Sequence, residues 1–246
     1  MKSKYDHYFS VQYASKERQE GFLDEYKKMY SWNYKYIYSK IKIKKTNALD
    51  IGCGLGQNLY TFKMLGFKNS IGIDVSDDSI DFCREKKFNV KKVSAEEYLK
   101  KNKNKFDLIT IYHVVEHIDK AKIVNFLSSL YEALTPNGVL VINVPNANNP
   151  VTAVHDRYVD LTHEILYTPE SLREILLLSG FNSKKIQIKE EVAYTPYSKS
   201  LFQMLIKTIA LPFITYVVDC IWNVFYISQG ANPHKNRPVL LSISRR

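Results

Sequence analysis

The residues whose types and spacing suggest chemistry begin with Leu49-Asp50-Ile51-Gly52-Cys53-Gly54-Leu55-Gly56, a glycine-rich segment that contains an acidic residue. The segment joins an apolar run to a helical pattern, and glycines in such a turn let a ligand approach the backbone without interference from Cβ atoms. The spacing is G-x-G-x-G, whereas dinucleotide-binding turns have G-x-G-x-x-G. A pyrophosphate prefers a helix N-terminus, but an acidic neighbour suits a ligand with an ammonium group. We therefore expect Asp50 to lie near that ammonium, with water between them.

A second acidic residue, Asp74, follows the apolar run Ile71-Gly72-Ile73 and lies 22 residues beyond Gly52. An acidic side chain at the end of a second strand can accept hydrogen bonds from both hydroxyls of a ribose. Either feature alone also fits a tight turn and a surface aspartate. Together, in this order and at this spacing, they indicate a ligand that contains a ribose and a positively charged amino-acid end.

The elements that must position these residues follow from the pattern after Asn47, where short apolar runs alternate with stretches of helical periodicity. This alternation predicts a parallel sheet with right-handed crossover connections. The predicted strands are Ala48–Ile51, Ser70–Asp74, Val90–Val93, Phe106–Ile111 and Gly138–Val144, and the predicted helices are Gln57–Leu65, Asp78–Lys87, Ala95–Lys100 and Lys120–Leu134.

The flanking parts of the chain add helices and two late strands. Phe22 to Ile43 carry apolar and aromatic side chains at helical spacing, which predicts one or two amphipathic helices in an N-terminal cap of residues 1–45. Residues 46–246 form the main domain. Within it, a helix begins at Thr168-Pro169 and ends near Ser179-Gly180, and the late strands are Lys185–Val192 and Val239–Ser244.

An apolar helical insertion, residues 197–232, precedes the last strand. Its central part, Leu201–Ile227, is interrupted by Lys207, Pro212 and Asp219, whereas a transmembrane helix needs roughly 20 mostly apolar residues. A single crossing would also place the last strand on the wrong side of the bilayer. We therefore expect residues 201–227 to form a helical cap, a homodimer surface or a peripheral membrane contact.

The glycine segment and Asp74 together resemble motif I and the ribose-binding position of class I S-adenosylmethionine-dependent methyltransferases, a resemblance that covers about Asn47 to Asn146. It implies a doubly wound α/β fold with a mostly parallel, Rossmann-like seven-stranded sheet, N-terminal helices and a helical insertion before the last strand. It also implies S-adenosyl-L-methionine as the cofactor. Carried over by position, it implies that Gly52, Gly54 and Gly56 line the methionine end and that Asp74 holds the ribose.

Two further segments are similar to the same class. Ser94-Ala95-Glu96 falls where many relatives have Asp-Ala-Glu near the adenine. Because Ser94 replaces the usual aspartate, the resemblance does not decide whether this residue contacts the adenine amino group. The segment from Phe106 to His117 resembles the fourth-strand motif of small-molecule methyltransferases, which implies that His113 lies at the strand end beside the cofactor. We expect His117 to be a packed structural histidine.

One competing motif overlaps this segment, because His113-Val114-Val115-Glu116-His117 fits the zinc-protease signature H-x-x-E-H. That chemistry needs both histidines on one face of a helix and a third ligand downstream. The apolar run before His113 indicates a strand instead, and a zinc protease would leave the glycine segment unexplained.

The residues after the fifth predicted strand form a polar segment that would face the methyl acceptor. Prolines and asparagines at 145–150 argue against a helix there, and residues 155–164 are His-Asp-Arg-Tyr-Val-Asp-Leu-Thr-His-Glu. A neutral histidine can remove a hydroxyl proton near pH 7, so His163 is the first candidate base and His155 the second. Asp160 would orient the base, and Arg157 would hold an acceptor phosphate bidentately.

Two alternatives stay open for this segment. His163 could cap a turn and pack under Tyr167 instead of acting as a base. The set of His155, Asp156, Asp160 and His163 could also bind a divalent metal, although a mixed set of histidines and carboxylates is not selective; our primary prediction includes no metal.

The pattern Arg-Tyr-x-Asp-x-Thr-His-Glu from Arg157 to Glu164, with the later Tyr-Thr-Pro-Glu-Ser-Leu, resembles methyltransferases of bacterial surface-polysaccharide pathways such as O-antigen and capsule. It implies O-methylation of a sugar, a nucleotide-sugar, or a phosphoryl or phosphoramidate precursor. The formal charge of +10 favours an anionic small-molecule acceptor, or simply keeps the surface solvated.

Two other functions are weighed against this one. A nucleic-acid methyltransferase is not expected, because Tyr112-His113-Val114-Val115 replaces the Asn/Asp-Pro-Pro-aromatic run of enzymes that methylate base amino groups. A non-catalytic partner protein would keep the fold and bind another subunit through residues 201–227.

The cysteines bear on the compartment. Cys53, Cys83 and Cys220 are far apart and form no C-x-x-C pair, so neither a disulfide framework nor a zinc site is predicted. The start of the sequence has no apolar signal-peptide core. These features favour a cytoplasmic protein, free or peripheral at the inner face of the membrane.

Overall fold

The computed structural model of the chain describes residues 22–39, 41–191 and 239–246, together with four helical positions at 213, 216, 217 and 220. Its strands are β1 (Asn47–Ile51), β2 (Asn69–Asp74), β3 (Val90–Lys92), β4 (Phe106–Tyr112), β5 (Leu134–Pro145), β6 (Ile186–Glu191) and β7 (Val239–Arg245). They form one sheet in the order β3-β2-β1-β4-β5-β7-β6. The first five strands pair in parallel, and β7 runs antiparallel to both β5 and β6.

The helices are α1 (Phe22–Asn33), α2 (Gln57–Leu65), α3 (Asp77–Glu85), α4 (Ala95–Lys100), α5 (Ile123–Ala133), α6 (Pro150–Val159) and α7 (Pro169–Leu178). A π-helical turn, Tyr34–Tyr38, follows α1, and 3₁₀ turns occur at Val115–His117 and Ser183–Lys185. Hydroxyl side chains start three of the helices, since Ser76 and Ser94 cap α3 and α4 and Thr168 forms a capping box with Ser171 at α7.

Helices cover both faces of the sheet, so the central strands are buried on both sides. Val139 and Val141 of β5 pack in a cluster with α2 and the π-helical turn, whereas Leu140 and Ile142 pack in a cluster with α4, α5 and α7. In β4, all residues from Phe106 to Ile111 are buried. Parallel strands covered on both faces have continuous apolar runs, which explains why the sequence predicts them well.

The strand order reverses between β1 and β4, and this reversal positions the site. In doubly wound sheets, ligands bind outside the carboxyl ends of the strands at such a switch point. β1 ends immediately before Gly52 and β4 ends immediately before His113. The glycine turn and the segment after β4 therefore lie at the same edge of the sheet.

The seven-stranded, doubly wound fold predicted from the sequence is confirmed, with shifted ends for some elements. β5 begins at Leu134 instead of Gly138, and α5 begins at Ile123 instead of Lys120. No helix was expected at 145–150, and α6 begins only at the last of these positions, Pro150; the helix over Pro150–Val159 was not predicted. The side chain of Asn149 accepts a hydrogen bond from the N–H of Thr152 at 2.8 Å, and proline is tolerated in the first turn, where its missing N–H needs no partner.

Parts of the predicted cap and insertion fall outside this description. Residues 1–21 of the cap are not among the described residues, while 22–38 are helical. Most of the insertion at 197–232 is likewise outside, so its role as a dimer surface or membrane contact stays a prediction. Among the residues described, no helix has both the length and the apolar character needed to cross a membrane.

Candidate cofactor and acceptor site

Three glycines with left-handed backbone build the turn between β1 and α2. The φ angle is +66° at Gly52, +48° at Gly54 and +80° at Gly56, a region that other residues rarely adopt. A Cβ on Gly52 would lie 2.3 Å from Cγ2 of Val114, whereas one on Gly54 would meet no atom within 4 Å. Gly52 is therefore required by close packing against the end of β4, and Gly54 borders open space where a ligand can approach the backbone.

Asp74, the last residue of β2, is hydrogen-bonded to this turn. Its Oδ2 accepts from the N–H of Gly54 at 3.0 Å, and its Oδ1 accepts from the N–H of Ser76 at 2.9 Å. Burial raises the pKa of Asp74, although the backbone donors act to lower it. Each carboxylate oxygen can accept a second hydrogen bond. Asp74 can thus bind two ribose hydroxyls while it holds Gly54 in place.

Asp50 is buried behind the turn, with 2% of its surface exposed. Its Oδ1 accepts from Oγ1 of Thr110 at 2.6 Å and from Nδ2 of Asn58 at 3.1 Å. Burial raises the pKa of Asp50 to about 7, and these two donors offset the effect only in part. A cationic group in front of this carboxyl would favour its ionised form. The predicted role of Asp50 beside an ammonium is compatible with this environment and stays a prediction.

Sequence reasoning missed the side chains that connect Asp50 to α1. Asn33, the last residue of α1, is fully buried, and its Nδ2 donates to Oδ1 of Asn58 at 3.2 Å. The hydroxyl of Tyr112 donates to Oδ1 of Asn33 at 2.9 Å. These partners come from three separate elements, so no local pattern indicates their contact.

Ser94, Ala95 and Glu96, predicted near the adenine, lie at the start of α4. The hydroxyl of Ser94 accepts from the N–H of Glu97 at 3.2 Å and so caps the helix. Ala95 is half-buried, and both Ser94 and Glu96 are exposed. The cap accounts for a serine at this position, while contact with an adenine stays a prediction.

His113 follows β4 in a left-handed backbone conformation, with φ of +53°. Its N–H donates to the carbonyl of Asn143 in β5 at 2.9 Å. More than half of its side chain is exposed, and Nδ1 lies 3.3 Å from Oε1 of Glu116. Desolvation acts to lower the pKa of His113, but the carboxylate of Glu116 outweighs it and the pKa is raised. Because the next residue, Val114, packs against Gly52, His113 lies near the glycine turn, and its place beside the cofactor stays a prediction.

Three of the four predicted acceptor residues, Arg157, Asp160 and His163, come together in the last turn of α6 and the loop that follows it. His163 is 9% exposed, its Nδ1 is hydrogen-bonded to the carbonyl of Asp156, and its Nε2 lies 4.0 Å from Oδ2 of Asp160. Arg157 Nη1 donates to the carbonyl of His163 at 2.6 Å. The side chain of His155 is two-thirds exposed and pairs with Asp156 at 2.9 Å. The first candidate base is thus held by its neighbours, and the second lies in solvent.

Glu116 and His117, in the 3₁₀ turn after β4, lie against His163. One potential ligand atom from each of the three side chains lies within 4.8 Å of the other two, and the two imidazole rings are 4.6 Å apart between centroids. In the part of the chain that the structure describes, these three side chains converge closely enough to bind a metal ion. The predicted set of His155, Asp156, Asp160 and His163 does not. The 3₁₀ turn is also not the helix that the H-x-x-E-H signature requires.

Comparison with known proteins agrees with this geometry. A sequence model described as a methyltransferase domain matches residues 17–185, which is more than two thirds of the chain. The chain belongs to this methyltransferase family.

Relatives of this methyltransferase act on different acceptors according to their names. It is 28% identical to the tRNA U34 carboxymethyltransferase of Pseudoalteromonas translucida (strain TAC 125), over 65% of this chain and 51% of that protein. It is 23% identical to the mitochondrial ubiquinone biosynthesis O-methyltransferase of Dictyostelium discoideum, over 56% of this chain and 52% of that protein. The methyltransferase therefore spans about half the length of these curated relatives.

A solved structure extends the similarity over the whole fold. The methyltransferase superposes on a SAM-dependent methyltransferase from Archaeoglobus fulgidus with a TM-score of 0.65 and 25% identity, covering 94% of this chain and 100% of that one. The predicted class I fold, the predicted methyltransferase and its cofactor S-adenosylmethionine are confirmed at the level of the family. The finer resemblance to polysaccharide methyltransferases is not shown by these relatives, whose names refer to tRNA and to ubiquinone.

Proposed function

We propose that this methyltransferase transfers a methyl group from S-adenosylmethionine to an oxygen atom of a small anionic or sugar-containing acceptor. The acceptor we propose is a sugar, a nucleotide-sugar, or a phosphoryl or phosphoramidate precursor of a bacterial capsule or other surface polysaccharide. The observation that carries the proposal is that the glycine turn, Asp74 and the buried side chain of His163 lie near one edge of the sheet. Asp74 is hydrogen-bonded to Gly54, and Val114 packs against Gly52. Glu116, two residues after Val114, has a carboxylate oxygen within 4.8 Å of a ring nitrogen of His163.

The residues at the turn fit this cofactor. The backbone of Gly54 borders open space, and Asp74 keeps lone pairs for ribose hydroxyls. Asp50, once ionised, suits an ammonium group. We propose that these residues, with Gly52 and Gly56, hold the cofactor, which supplies a methyl group on a positively charged sulfur.

The remaining task of the chain is to position the acceptor oxygen and to take its proton. Positioning is worth roughly 7–11 kcal/mol at best. His163 suits the role of base, because its Nδ1 donates to the carbonyl of Asp156 and the lone pair is then on Nε2. Asp160, 4.0 Å from Nε2, would stabilise the protonated ring. Arg157 is exposed and has further N–H donors beyond the one bonded to His163, so it can bind an acceptor phosphate.

Support for the acceptor class comes from several observations of unequal weight. The ubiquinone relative, named for O-methylation, supports an oxygen target. The net charge of +10 supports an anionic acceptor. The polysaccharide pathway rests on the sequence pattern from Arg157 to Glu164 alone. We also propose that the protein is cytoplasmic and that residues 201–227 contact the membrane or a second copy of the chain.

The test measures S-adenosylhomocysteine release by the purified chain with a panel of nucleotide-sugars and phosphorylated sugars. We expect turnover that depends on the acceptor and falls by about 10²–10⁴-fold in His163→Gln, with cofactor affinity unchanged in calorimetry. Asp74→Ala should lose cofactor binding, while Asp81→Ala, at an exposed carboxylate of α3, should keep it. Failure of the native chain to bind S-adenosylmethionine would remove the proposal and favour a non-catalytic partner protein.

Methylation of RNA is a second candidate function. The relative named tRNA U34 carboxymethyltransferase supports tRNA as the acceptor, although its name refers to a carboxymethyl group, and the positive charge supports a polyanion. The same assay with total tRNA and a radiolabelled methyl donor tests it. Methyl incorporation into tRNA, together with no turnover on any sugar acceptor, would replace the small-molecule proposal.

A further inference from the structure

Glu116, His117 and His163 form a compact cluster that the cofactor turn does not use. The 3₁₀ turn after β4 supplies Glu116 and His117, and the loop after α6 supplies His163. The carbonyl of Glu116 accepts from the N–H of Glu164 at 2.8 Å, so the backbones of the two segments are joined beside the cluster. Their potential ligand atoms converge to within 4.8 Å of one another.

Glu116 lies in this cluster without hydrogen-bond donors. It has no exposed surface, and neither carboxylate oxygen accepts a hydrogen bond from a described residue. Nδ1 of His113 lies 3.3 Å from Oε1 and pairs with it when that imidazole is protonated, whereas Oε2 has no partner among the described residues. Buried carboxylates in proteins are paired, hydrogen-bonded or bound to a metal. The position of Glu116 beside two imidazoles points to a metal.

Both imidazoles are oriented by bonds from Nδ1. In His163, Nδ1 donates to the carbonyl of Asp156. In His117, Nδ1 lies 2.8 Å from Oγ1 of Thr162, whose hydroxyl donates to Oδ1 of Asp160 at 2.7 Å. The hydroxyl of Thr162 therefore accepts from Nδ1, and the lone pair of His117 is on Nε2. Metal-binding histidines usually donate their other N–H to such outer partners.

We propose that Glu116, His117 and His163 bind a divalent transition-metal ion, with Zn²⁺ as the best match. Two histidines and one glutamate are a known ligand set of catalytic zinc sites, in which a fourth position stays open for water or substrate. Mg²⁺ and Ca²⁺ prefer sets made of oxygen ligands, so two imidazoles select against them. Zinc–ligand bonds of about 2.0–2.2 Å place tetrahedral ligand atoms roughly 3.4 Å apart, so the cluster closes slightly when the ion binds.

The site itself does not depend on the reaction, but its role rests on the proposed function. A metal on Nε2 of His163 occupies the lone pair that a base would use. An acceptor hydroxyl in the open fourth position would then lose its proton to solvent, because the metal lowers the pKa of a bound hydroxyl group. His163 would act as a ligand in that case, and the acceptor oxygen would be held by the metal beside the cofactor turn.

The test measures metal binding by the full chain, without cofactor or acceptor. Chelator-treated protein is dialysed against Zn²⁺ and analysed by mass spectrometry, and it is titrated with Co²⁺, whose visible absorption reports a tetrahedral site. We expect one ion per chain in the native protein. Thr162→Val removes the hydroxyl partner of His117 but leaves the carbonyl of Thr162, 3.2 Å from Nδ1, so it should weaken Co²⁺ binding by about 10-fold, the lower end for an outer partner. Glu116→Gln and His163→Ala should weaken it more.

His155→Ala is the matched control, since this histidine is exposed and outside the cluster; it should bind metal as the native protein does. Circular dichroism checks that each variant folds, and Glu116→Gln changes the side-chain volume little. Equal metal content in the native chain and in both ligand variants would overturn the proposal, as would less than one ion per native chain. Because this test does not measure methyl transfer, failure to bind metal would not contradict the proposed function. Equally, a lack of turnover with every acceptor would not contradict the metal site.

Discussion

The substitution Asp50→Asn tests the buried charge behind the glycine turn. Burial raises the pKa of Asp50 to about 7, compared with about 3.9 in an unfolded chain. The folded state then holds a proton more tightly than the unfolded state, so this stabilisation is complete below about pH 4 and is lost as the pH rises through 7. For these two pKa values, linkage gives a loss of about 2.5 kcal/mol in the free energy of unfolding between about pH 5 and pH 8.

Asparagine is neutral and keeps an oxygen that can accept from Thr110 and Asn58, so Asp50→Asn should lack this component of the pH dependence. The assay is urea unfolding of cofactor-free protein at both pH values, and the quantity compared is the change in unfolding free energy. Asp81→Asn, at an exposed carboxyl group of α3, is the matched control and should behave as the native chain. Identical pH dependence in the native chain and in Asp50→Asn would refute the argument from burial.

Other substitutions test packing, hydrogen bonding and capping. Gly52→Ala brings a methyl group within 2.3 Å of Val114, so thermal and urea unfolding should show a loss of about 1–3 kcal/mol. In Gly54→Ala the added methyl group meets open space, so this variant should lose more free energy of cofactor binding, measured by calorimetry, than free energy of unfolding. A larger loss of stability than of affinity would contradict the proposed role of Gly54 in cofactor binding. Asn33→Ala leaves buried polar partners unsatisfied and should cost about 1–3 kcal/mol in urea unfolding, so an unchanged midpoint would contradict its role. Ser94→Ala removes a helix cap and should cost about 1 kcal/mol in the same assay; no loss would show that the cap is not needed.

The parts of the fold that depend on local patterns were predictable from the sequence. Short, mostly apolar runs predicted β1 and β4, because helices cover both faces of these strands. The start of α7 was predictable because Thr168 and Pro169 act through contacts within one turn. The start of α6 was missed because Pro150 and Asn149 favour loops as well as helix starts, and only the hydrogen bond to Thr152 distinguishes the two.

In the candidate site, too, residues that follow from local patterns were predictable and contacts that depend on the tertiary fold were not. The glycine turn and Asp74 were predictable, since each follows a strand directly and parallel strands end at one edge. The contact of Glu116 with His163 was not predictable, because the two residues come from segments that only the tertiary fold brings together. The same reason applies to Asn33 and Tyr112, which meet across 79 positions. Spacing in sequence carries no signal for such contacts.

Hydrogen bonds connect α1 to the glycine turn and to Asp50, so the local stability of this helix depends on the charge of a residue in β1. Asn33 is two hydrogen bonds away from Asp50, through Asn58, and Tyr26 of the same helix donates to the carbonyl of Leu55. A local opening of α1 would admit water to Asp50, and hydration favours the ionised carboxyl. Above pH 7 such openings should become more frequent, so the protection of α1 amides against hydrogen exchange, measured relative to the intrinsic rate at each pH, would report the ionisation of a residue in β1.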